Sequence, residues 1–159
     1  RHVIDSLGDR VELVLDGGRC ADGIESTIVA VRPDGQWQIL RPGPITANQI
    51  GAELGSDEAK PVAGAAIEAP GQLASHYAPG KPVRLHAATA DAGEFHIGFG
   101  PVAGQANLSA SGDLAEAAAN LYAVLHQAAA AAEPAIAVAP IPESGIGLAI
   151  NDRLRRAAA

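Results

Sequence analysis

Four prolines and three glycines fall between residues 61 and 82, in PVAGAAIEAPGQLASHYAPGKP, and they divide the chain. Proline fixes φ and donates no N–H, and glycine adds backbone freedom, so no regular element is expected to run through this stretch. Helices and strands must be sought on either side of it, and the two sides carry different patterns. Residues 1–61 read as a β-rich part, 62–82 as a linker of moderate stiffness, and 83–159 as a second part in which strands and helices alternate.

Ahead of the linker, VELVLDG at 11–17 sets Val11, Leu13 and Leu15 against Glu12 and Asp16, which is strand periodicity ended by Gly17-Gly18. IESTIVAVR and QWQILR are two further β-rich runs joined through Pro33-Asp34-Gly35, and this turn chemistry predicts a hairpin. Glu25, Ser26 and Thr27 belong to the first run and place a hydroxyl on each face of a strand, while Gly23 permits another group to approach the backbone. Past Arg41-Pro42-Gly43, Thr46 stands three residues before Gln49, a capping-box pattern that opens a short helix through Ile50 and Leu54. Three strands and one short helix offer too little apolar surface to close a core. With no methionine and a start at Arg1, the chain is therefore expected to be part of a longer one whose partner strands precede Arg1.

Beyond the linker, PVRLHAA and EFHIGFG predict strands, the second alternating Phe95, Ile97 and Phe99 with His96 and Gly98. Leu114, Ala118, Leu121, Leu125 and Ala129 recur at helical spacing, with Asp113 and Glu116 as a start signal and Pro134 past the end. AIAVAP has the continuous apolar character of a buried parallel strand, and GIGLAINDRLRRAAA closes the chain as a helix with Ile150 and Leu154 inward. Together these elements predict a small Rossmann-like α/β domain over 83–159.

Composition limits the function classes. The 159 residues are 48% hydrophobic and 18% charged, as in globular proteins, and no stretch approaches the roughly 18 apolar residues of a membrane span. Nor do the first residues have the apolar core of a signal peptide, so a cytoplasmic protein without membrane contact is expected. A net charge of −7 argues against an extended nucleic-acid surface but leaves room for a local anion site. Arg153, Arg155 and Arg156 form the one basic cluster, either complementing the dipole of the last helix or making a contact patch. Cys20 stands alone, and His2, His76, His86, His96 and His126 lack ligand spacing, so no metal site is expected. Gly145-Ile146-Gly147 imitates a dinucleotide fingerprint only in its first two glycines, since Ile150 occupies the third position.

Two features are less ordinary. Arg41 ends a strand just before a helix N-terminus, where it is either a solvated loop arginine or half of an anion grip. His76 and Tyr77 sit between two Pro-Gly pairs, where they either pack simply or form a lid over a ligand.

LVLDGG, GIESTIV, ILRPGPIT, APGQLASHYAPGKP, NLSASGDLAEAAANLYAVLH and AVAPIPESGIGLAINDRLRRAA, in this order, resemble the C-terminal portion of two-domain threonylcarbamoyl-AMP synthases. This YrdC-like family begins synthesis of N6-threonylcarbamoyladenosine in tRNA. The resemblance implies an α/β fold: the C-terminal part of a YrdC-like twisted sheet domain over 1–61, a linker or lid over 62–82, and a Rossmann-like accessory domain over 83–159. It implies a nucleotidyltransferase that uses L-threonine, bicarbonate and ATP with Mg2+ and passes its product to a separate tRNA-modifying threonylcarbamoyl transferase complex. Ser26 would help hold threonine, Arg41 and Tyr77 would bind ATP, and His76 would shape closure of the linker; no catalytic residue is assigned. The family's N-terminal lysine and arginine motif and its Ser-x-Asn motif would precede Arg1, so the 159 residues alone are expected to be inactive. Two alternatives remain at this point: a YrdC-like carbamoyltransferase, and a regulatory module that binds a nucleotide or a protein.

Overall fold

The computed structural model describes residues 2–18, 20–60, 67–73 and 78–159. A short helix α1 (His2–Leu7) and a 3-10 turn (Gly8–Arg10) open the chain. Residues 11–18 are not the strand that their alternation predicts. They have no regular structure, and Leu13 and Leu15 are 74% and 85% exposed. Alternation makes one face apolar, but a strand also needs a neighbour for its N–H and C=O groups, and none of the described residues supplies one.

The hairpin forms as the turn residues require. Strands β1 (Ile28–Val31) and β2 (Trp37–Arg41) pair antiparallel. Gly35, at φ 84°, donates its N–H to Arg32 O at 2.9 Å, and Asp34 Oδ1 accepts from Gln36 N at 3.1 Å. Glu25, Ser26 and Thr27 precede β1 rather than lying on it, a correction that matters for the site. Residues 56–59 cover the outer edge of β2: Ala59 N donates to Trp37 O at 2.8 Å, Glu58 Oε1 accepts from Ile39 N at 2.8 Å, and buried Trp37 donates from Nε1 to Ser56 O at 3.2 Å. Helix α2 (Ala47–Leu54) has the complete capping box, Thr46 and Gln49 each accepting from the other's backbone N–H.

In the second part, strands β3 (Val83–Arg84), β4 (Glu94–Gly98), β5 (Ala106–Asn107) and β6 (Ala135–Val138) make one parallel sheet in the order β3-β6-β4-β5. Helix α3 (Leu114–Ala130) is capped by Asp113, whose carboxylate accepts from Glu116 N at 2.7 Å; α4 (Gly147–Ala157) follows β6. Strand β5 has no counterpart in the sequence reading. The chain returns to it through residues 99–105, much shorter than an ordinary parallel crossover, because Gly98 and Gly104 let backbones cross where a Cβ would lie 2.3 Å from Val102 O and His96 O respectively.

The core lies between this sheet and the two helices, with Phe95, Ile97, Leu121, Leu125, Ile136 and Ile150 among its members, and Ile24 from ahead of the hairpin joins it. Gly23, at φ 67°, leads Ile24 in so closely that a Cβ there would lie 2.3 Å from Ala119 Cα on α3. The described flanks of the linker have no regular structure and are tethered. Arg32 makes a two-pronged ion pair with Glu68 at 2.7 Å, and Lys81 caps the end of α3 by donating to Ala128 O and Ala131 O.

Candidate functional site

Ser26 and Arg41 meet at one corner. A β-bulge between Ile28 and Val29 shifts the register, so that Ile28 opposes Arg41 while Val29 opposes Ile39. The extra residue, Leu40, re-aims the end of β2. Arg41 turns toward the segment just ahead of β1 and donates from Nε and Nη2 to Ser26 O at 3.2 and 3.0 Å, with Ser26 Oγ 3.5 Å from Nη2. Ser26 is exposed and Arg41 half-buried. A hydroxyl beside a fixed guanidinium, open to solvent, can receive a carboxylate or a phosphate.

The corner is locked from behind. Gly43 sits where a Cβ would lie 2.3 Å from Thr27 N, so the turn after Arg41 packs directly on the backbone of 26–27. Thr27 Oγ1 donates to Ile45 O at 2.7 Å and accepts from Ile45 N at 3.1 Å. The helix N-terminus that sequence paired with Arg41 opens on a neighbouring cavity that also reaches Pro42 and Gly43. The capping box engages the N–H groups of Thr46 and Gln49, and the cavity of about 210 Å3 beside them is lined by Pro42, Gly43, Thr46, Ala47, Leu148 and Arg155 among others, though not by Arg41 itself. His76 and Tyr77 lie outside the described residues.

Sequence reasoning missed three residues here. Arg153, 0% exposed, donates from Nε and Nη2 to Glu25 Oε2 at 3.2 and 3.0 Å and from Nη1 to Pro42 O at 2.6 Å; Tyr122 donates to the same Glu25 oxygen at 2.9 Å. Burial works to lower the Arg153 pKa, but the hydrogen bond and charge of Glu25, helped by Tyr122, outweigh it and leave the guanidinium above its ordinary value. The basic cluster thus splits. Arg155 and Arg156 occupy the last turn of α4, where they suit the dipole, while Arg153 makes an internal contact. A signal was present: Arg153 shares a helix face with Ala149, Ile150, Leu154 and Ala157, all buried.

Among the described residues no group of three His, Cys, Asp or Glu side chains is placed to hold a metal, and no helix is long and apolar enough to cross a membrane. Fold and corner together define a mixed α/β chain in which a hairpin corner is seated on a parallel-sheet unit. The chain belongs to the family described as "Threonylcarbamoyl-AMP synthase, C-terminal domain", whose model matches residues 45–159. A second model, described as "Telomere recombination", matches residues 1–43. Among similar proteins are the threonylcarbamoyl-AMP synthases of Pyrococcus abyssi, 27% identical over 98% of this chain and 52% of the relative, and of Bacillus subtilis, 29% identical over 99% and 51%. A similar solved structure is the crystal structure of P. abyssi Sua5 complexed with L-threonine, with a TM-score of 0.77 and 25% identity over 99% of this chain and 52% of that one. The chain spans about half the length of the curated relatives it matches.

Proposed function

We propose that these residues form the C-terminal part of an L-threonylcarbamoyladenylate synthase, which makes threonylcarbamoyl-AMP and pyrophosphate from L-threonine, bicarbonate and ATP for t6A formation in tRNA. The observation that carries the reading is the Ser26–Arg41 corner, with 3.0 Å from guanidinium to Ser26 O, in a chain whose relatives bear that name and whose structural neighbour holds L-threonine. Ser26 helps hold threonine. Arg41 receives ATP phosphate and offsets the charge that develops as threonine carbamate meets the α-phosphate.

Tyr77 contacts the nucleotide and His76 shapes closure of the linker, whose flank is tied through Leu73 O to Arg156 at 2.5 Å. Much of the rate would come from holding two anionic reactants together and dry. Magnesium arrives on the triphosphate, and no step is assigned to it on this chain. The 1–61 part belongs to a YrdC-like domain, 62–82 is the linker, and 83–159 is a Rossmann-like accessory domain. The product passes to a tRNA-modifying transferase in the cytoplasm, without nucleic acid binding here.

The test is threonine-dependent pyrophosphate release from ATP and bicarbonate, comparing these 159 residues with a chain of the relatives' full length. Release by the longer chain alone is the expected result; none from either overturns the reading. In the longer chain, Arg41→Ala is expected to raise the KM for ATP by about tenfold or more, the loss of one charge-assisted hydrogen bond, and unchanged kinetics would remove Arg41 from the site.

A further inference from the structure

Each of the two candidate residues is gripped one position away by the same buried side chain. Glu25 precedes Ser26 and Pro42 follows Arg41, and Arg153 bonds both, through Glu25 Oε2 at 3.0 Å and Pro42 O at 2.6 Å. A guanidinium is a planar fork whose donors keep fixed angles, so it sets the separation of its two acceptors as well as attracting them. Tyr122 on α3 holds the same Glu25 oxygen at 2.9 Å, and Gly23 presses the preceding backbone on α3.

The contact also reaches the linker. Arg153 Nη1 donates to Asp152 Oδ2 at 3.2 Å, Asp152 accepts from Arg156 at 3.0 Å, and Arg156 donates to Leu73 O at 2.5 Å.

We propose that Arg153 is a positioning residue. From the far side of the corner it sets the spacing of Ser26 and Arg41, so that the last helix governs how the corner grips its anionic ligands. The identity of those ligands rests on the function proposed above; the geometry of the grip does not.

The experiment uses Arg153→Lys, which keeps the charge and loses the fork, and Tyr122→Phe, which removes the hydroxyl that donates to Glu25 and leaves Arg153 with Glu25. Ile136→Ala, in the sheet and outside these contacts, controls for lost stability. Two properties are read in a chain of full length: kcat/KM for threonine, and amide hydrogen exchange at Ser26, Thr27, Arg41 and Gly43. A shift of about 1 Å in a positioned group can cost roughly 100-fold in rate, so Arg153→Lys is expected to lose kcat/KM on that scale and Tyr122→Phe less, both with faster exchange at those amides than the control. Wild-type kcat/KM in both variants, with exchange no faster than in Ile136→Ala, would overturn the proposal. If the unmodified full-length chain shows no threonine-dependent turnover, the proposed function fails and exchange alone decides the role of Arg153: faster exchange upholds it, unchanged exchange ends it.

Discussion

Glu94 accepts from Arg84 Nε at 2.9 Å and Nη2 at 2.5 Å and from Asp91 N at 2.7 Å, so one carboxylate gathers β3, β4 and the loop between them. The hydrogen bond from Arg84, then that from the Asp91 backbone, holds its pKa down to about 2 from an ordinary 4.5. As pH falls below 4.5 the unfolded chain takes up this proton before the folded one does. The stability that Glu94 contributes is therefore present above pH 4.5 and lost on the way down to about 2. Thermal melts should show Glu94→Gln with a lower midpoint than wild type at pH 7 and a flatter fall between pH 4.5 and 2; parallel curves would mean the contacts contribute nothing. At this scale the sequence was legible in part. It placed Ser26 and Arg41 on neighbouring runs, and the structure brings them within hydrogen-bond distance. It did not single out Arg153, because three arginines near a helix end differ only in rotational phase, and phase decides which one faces inward.

Elements whose signals are local were read correctly. The turn at Pro33-Asp34-Gly35, the capping box at Thr46 and the cap at Asp113 each specify their own backbone, and the hairpin, α2 and α3 appear where these residues place them. Elements that depend on a distant partner were not. VELVLDG has the right alternation without a described neighbour, whereas β5, too short for any periodicity, exists because β4 lies beside it. The return from β4 to β5 is correspondingly fragile. Gly104→Ala would set a Cβ against His96 O, and overpacking of this kind costs about 1–3 kcal/mol. Urea unfolding is expected to show that loss, together with faster exchange at Ala106 and Asn107; a neutral result would mean that the loop has room to move.

For the whole molecule, the proline-rich stretch says nothing of what joins the hairpin to the parallel-sheet unit. The join is Ile24 in the core, Gly23 against α3 and Arg153 beneath the corner. Helical phase marks Arg153 as inward-facing but does not say what it meets, and Gly23 and Ile24 lie on no periodic element, because each is a contact between surfaces that fold on different patterns. Gly23→Ala combines a clash with Ala119 and a φ of 67° that costs a non-glycine residue about 1 kcal/mol or more, so it should loosen this join. Limited proteolysis is expected to cut residues 18–27 sooner in the variant, with β3 to β6 still protected; uniform loss of protection would mean that the two parts unfold as one. The Glu25–Arg153 contact spans 128 positions, so its timing is constrained as well as its geometry. On the ribosome Glu25 emerges and the hairpin can close long before α4 is translated, leaving this carboxylate to wait in water for its cation. The corner can be drawn early, but it becomes rigid only when the last helix docks.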